Sequence, residues 1–86
     1  MTSEERAKLI EALSNEIWPH VAPLLAGKEP QVQGAVLADL VARWIAGHFV
    51  PGSQWATRRV RERFLDLHIE TVRKLVPVNA KQMGTE

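Results

Sequence analysis

Residues 31–48 read QVQGAVLADLVARWIAGH. Val32, Val36, Leu37, Leu40, Val41, Trp44 and Ile45 are large and apolar, and Asp39 and Arg43 are the only charges. Those two stand four apart, the spacing at which a helix lets an acid and a base pair on a narrow polar strip. Gly34, Ala38, Ala42 and Ala46 also recur every four residues. On a helix that spacing makes a near-straight stripe of small side chains, where another backbone can approach closely. A helix apolar almost all round belongs in the middle of something. With only 86 residues in all, the chain has little to cover it with. The expectation is therefore a homodimer, with this helix in or beside the interface and its stripe facing another helix across a two-fold axis.

On the N-terminal side, Thr2-Ser-Glu-Glu5 is a capping-box pattern, in which the threonine hydroxyl and Glu5 satisfy each other's unpaired amides. Leu9, Ile10, Leu13 and Ile17 follow at helical spacing, predicting an amphipathic surface helix over about residues 3–17. Pro19 disfavours helix at the residue before it and removes an amide donor, so the helix is expected to stop or kink there, with a short extra turn over 19–25. Pro30 suits the first turn of the second helix. On the C-terminal side, Pro51-Gly52 makes a turn and Ser53 an N-cap for a third helix, about 54–75. Two neighbouring stripes, Val60-Phe64-Leu67-Thr71-Leu75 and Leu65-Ile69-Val72-Val76, give that helix its apolar side. Pro77 is read as its end, and residues 77–86 (PVNAKQMGTE) as a flexible tail. The fold class is thus all-α, one small three-helix domain over 1–76.

Composition bounds the chemistry. There is no cysteine, which removes disulfides, thiolate metal sites and a cysteine nucleophile. No apolar run approaches the length of a membrane span. The acidic start, MTSEERAKLIEALSNE, lacks the basic residues and apolar stretch of a secretory signal, so the expected location is cytoplasmic. The net charge is +1, but it is unevenly spread. Residues 1–40 hold three bases against six acids, and residues 41–86 hold eight against four. That asymmetry leaves room for a local basic patch.

The patch is Arg58, Arg59, Arg61 and Arg63, four arginines in six residues at the start of the third helix. The positive end of the helix dipole disfavours them there, and a bound phosphate or carboxylate would remove the penalty. The plainer reading is a solvated face, with Arg59 paired to Glu62 and Arg63 to Asp66. A helix-turn-helix reading head is disfavoured, because the preceding helix has no polar face to lie along a phosphate backbone. His20, His48 and His68 have no HxxxH or HExxH spacing, so nothing local would seat a metal. His48 reads as a helix C-terminal partner, and His68 as a packed histidine on the apolar side of its helix. Trp18 and Trp44 read as packing residues, and Trp55 equally as packing or as an interface anchor.

No serine sits in a nucleophile motif, and there is no glycine-rich phosphate loop. No catalytic residue, metal ligand or cofactor is assigned. The expected function is a non-enzymatic dimerisation or protein-interaction module, with Gly34, Ala38, Ala42, Ala46 and Trp55 as its interface residues. The alternative is a small nucleic-acid- or phosphate-binding regulator that uses the arginine cluster. An enzyme built on Arg61 and His68 would need a carboxylate and a pocket that the sequence does not reveal.

Overall fold

Thr2 starts the first helix, α1 (Ser3–Leu25): its Oγ1 accepts the Glu5 amide at 3.1 Å, and its carbonyl accepts the Arg6 amide at 2.9 Å. Glu4 and Glu5 occupy the first turn, where the helix dipole favours acids. The structure is a computed structural model describing residues 1–86. It is all-α, with three helices and no strands: α1, α2 (Pro30–Ala46) and α3 (Gln54–Met83).

Two of the expected helix ends are corrected. α1 does not stop before Pro19; it runs through Pro19 and Pro23 to Leu25. A proline within a helix forfeits one hydrogen bond and crowds the carbonyl four residues back, a cost of about 3 kcal/mol. What lies beyond supplies the compensation. The half-buried residues of α1 are Val21, Ala22 and Leu25, all past Pro19, and the Leu25 carbonyl accepts Gln33 Nε2 at 2.8 Å. Packing at this end of α1 outweighs the local preference. The chain then turns at Gly27, whose φ of 77° suits a residue without a Cβ, and re-enters helix at Pro30.

The second correction concerns the tail. Helix α3 does not end at Pro77: it passes through the proline and continues to Met83, so most of residues 77–86 are helical. Gly84 has φ 71°, its amide donates to the Lys81 carbonyl at 3.3 Å, and the Thr85 amide donates to the Ala80 carbonyl at 2.8 Å. This pair of bonds around a left-handed glycine is a Schellman motif. The stop signal is Gly84; Pro77 forfeits one bond in mid-helix.

Between α2 and α3, Val50-Pro51-Gly52-Ser53 forms a turn closed by the Ser53 amide and the Val50 carbonyl at 3.2 Å. Gly52 takes φ 79°, as a proline-glycine turn requires at its third residue. Ser53 Oγ caps α3 by accepting the Ala56 amide at 3.0 Å.

The contacts gather into two units, Met1–Val36 and Leu37–Glu86. The first holds α1 and the opening turns of α2, tied by Gln33 to Leu25. The second holds the rest of α2, the connecting loop and α3, with Val41 and Ile45 half-buried on α2, His48 half-buried in the loop, and Val60, Arg61, Phe64 and His68 half-buried on α3. No residue of either unit is fully buried. The ion pairs are Glu4–Lys8, Asp39–Arg43 and Glu70–Lys74 at 3.6, 2.8 and 3.3 Å. All three are exposed, where such pairs add little stability. The Asp39–Arg43 pair is the one the sequence spacing predicts.

Candidate functional site

The turn between α2 and α3 is held by two side chains one helical turn apart on α3. Thr57 Oγ1 accepts the Val50 amide at 2.9 Å and lies 2.8 Å from the Ser53 carbonyl and 3.2 Å from that of Val50. Its single hydrogen serves one of those carbonyls at a time. Arg61 reaches across the hairpin: Nε donates to the His48 carbonyl at 3.0 Å and Nη2 to the Ala46 carbonyl at 2.8 Å. The Ala46 carbonyl is the last of α2 and has no partner within the helix, the His48 carbonyl lies two residues beyond it, and the guanidinium sits where the helix dipole is negative. Arg61 therefore caps α2. Spacing along α3 does not reveal this role, because the partners lie 13 and 15 residues away.

The other three arginines of the cluster are exposed. The expected Arg59–Glu62 and Arg63–Asp66 pairs do not form. Arg59 instead lies over the Trp55 ring, 5.5 Å from its centroid, a cation–π contact. Trp55 is 71% exposed. Beside them, Phe49, Val50, Pro51, Arg58, Glu62 and Leu65 line an open groove of about 780 Å³.

On the same hairpin four rings meet. His48 lies 4.6 Å from Phe64 and 5.3 Å from Trp44, and Trp44 lies 5.7 Å from Phe64 and 5.9 Å from His68, centroid to centroid. His48 Nδ1 donates to the Trp44 carbonyl at 2.9 Å; a carbonyl only accepts, so the hydrogen is on Nδ1. His48 thus does stand at the end of α2, and it also packs as an aromatic ring. His68 packs against Trp44 as the apolar stripe suggests. His20 lies in the other unit, and no three His, Cys, Asp or Glu side chains gather as a metal would need.

A second groove, about 480 Å³, runs between α2 and α3 and is lined by Leu37, Ala38, Val41, Ala42, Ile45, Ala46, Arg61, Leu65 and His68. It brings Arg61 and His68 to one place but includes no carboxylate. Three members of the small-residue stripe, Ala38, Ala42 and Ala46, form part of its floor. Gly34, the fourth, belongs to the other unit, and a Cβ built there would meet nothing within 4 Å.

The apolar inventory is the largest feature that spacing alone did not size. Twenty-two large apolar residues are exposed, among them Leu9, Ile10, Leu13 and Ile17 on α1 and Leu67, Ile69, Val72, Leu75, Val76 and Val78 on α3. No helix is long and apolar enough to cross a membrane. Compared with known protein families, with curated proteins and with solved structures, the chain matches none.

Proposed function

We propose that this chain is a non-enzymatic helical interaction module that works as a homodimer, with the cytoplasm as its compartment. The observation that supports the reading is the absence of any fully buried side chain alongside 22 exposed large apolar ones. Apolar surface on that scale seeks cover. A monodisperse dimer, twice 9.7 kDa, is the expected result of sedimentation equilibrium across a hundredfold concentration range. A helical monomer at every concentration would overturn the reading.

A second reading rests on a different observation: Arg58, Arg59 and Arg63 have no carboxylate partner. Three unpaired guanidiniums near the start of α3 suit a phosphate backbone or another polyanion. Arg61 is left out of that site because both of its bonds go to main-chain carbonyls. Fluorescence anisotropy with random duplex and single-stranded DNA tests it. Micromolar binding that collapses between low and moderate salt supports the second reading; no binding at low salt refutes it.

A further inference from the structure

We infer that α1 of one copy docks in the α2/α3 groove of a second copy, each chain exchanging its first helix with the other. The inference rests on the dimer reading above and specifies which faces meet.

Three observations favour this occupant. First, α1 is exposed along all of residues 3–20, so its first turns have no partner within their own unit. Most of a helix's stability in a protein comes from packing its amphipathic face rather than from intrinsic propensity. Second, its apolar face has the pattern of a helix that lies in a groove: Ile10, Leu13 and Ile17 at i, i+3 and i+7, exposed by 56, 47 and 56%. The groove offers a complementary strip, with Leu37, Val41 and Leu65 as walls and alanines that let a helix come close. Third, the charges match. Met1–Val36 carries three basic and five acidic side chains, net −2, and Leu37–Glu86 carries eight and five, net +3. Exchange of α1 sets −2 against +3.

The chain has no cysteine of its own, so introduced thiols report cleanly. Ser14 flanks the apolar face of α1, and Ala42 lies in the groove. Chains carrying Ser14→Cys and Ala42→Cys are unfolded, mixed, refolded together and treated with a short bis-maleimide. The expected product is the mixed covalent dimer, at least fivefold above either like-with-like product. Sedimentation of the unaltered chain is run alongside. Cross-linking of Ala42→Cys with itself, without the mixed product, would overturn the exchange and leave a dimer built on the α2 stripe. A sedimenting dimer with no cross-link in any combination would overturn it too. The double variant Ser14→Cys/Ala42→Cys covers the remaining case: an intrachain link in a monomeric species would mean that α1 fills its own groove, and both the exchange and the dimer reading would fall.

Discussion

Replacing Arg61 tests the architecture of the α2–α3 hairpin most directly. In the wild type its guanidinium donates to the His48 and Ala46 carbonyls at 3.0 and 2.8 Å. A hydrogen bond to a charged group contributes about 1.5–3 kcal/mol when shielded from water. Here one bond is half-buried and the other exposed, so the second contributes well under that range. Interaction with the negative end of α2 adds about 0.3–1 kcal/mol. Arg61→Ala is therefore expected to destabilise the fold by about 2 kcal/mol, a fall in Tm of roughly 10 °C for a domain of this size. Arg58→Ala, three residues away and exposed, is expected within about 0.5 kcal/mol of wild type. The assay is urea and thermal unfolding followed by far-UV circular dichroism, with protein concentration held constant because a dimer's stability depends on it. If Arg61→Ala and Arg58→Ala unfold alike, within about 0.5 kcal/mol of wild type, the capping role is refuted. A loss of DNA affinity in Arg61→Ala with unchanged stability would return Arg61 to the anion-binding cluster.

Thr57→Val keeps the shape of the side chain but leaves the Val50 amide without its acceptor; a loss of about 1–2 kcal/mol is expected, with faster proteolysis in the loop 47–53. Pro77→Ala restores the missing amide inside α3 and is expected to raise stability by up to about 3 kcal/mol. No gain in helicity or stability would mean that the helix ends before residue 77. Ala42→Leu fills the α2/α3 groove and is expected to weaken dimerisation at least tenfold by sedimentation while the helicity stays; unchanged dimerisation would refute a role for the groove. Glu70→Ala removes an exposed partner of Lys74 and is expected to shift stability by less than about 0.5 kcal/mol, read in the same unfolding assay.

The helices themselves are legible in the sequence because their causes are local. Thr2 and Ser53 cap as their side chains and neighbours dictate, the Asp39–Arg43 pair follows from a spacing of four, and the apolar periodicity locates all three helices. Helix ends are less legible, because two opposing local signals can meet there. At Pro19 and Pro77 the proline argues for a stop, while packing by Val21, Ala22 and Leu25 in one case and the glycine-centred closure at Gly84 in the other carry the helix on. The Gly84 signal is present in the sequence, and in the folded chain Gly84, not Pro77, closes α3. A proline inside a helix forfeits one bond, whereas a left-handed glycine collects two.

By itself, the sequence determined an all-α chain of three helices, the absence of cysteine chemistry, an uneven charge distribution and an arginine cluster at the head of α3. These depend on residue type and on spacings of three and four, which a single helix already expresses. Only the tertiary structure decided what that cluster does. Arg61 became the cap of α2 because the hairpin closes and brings its guanidinium to carbonyls 13 and 15 residues back. The same closure set His48 and His68 against Trp44 and Phe64 and opened the groove beside Ala38 and Ala42. Contacts across a closed loop depend on the turn geometry and on which helix faces meet, and neither is written in the spacing along any one helix.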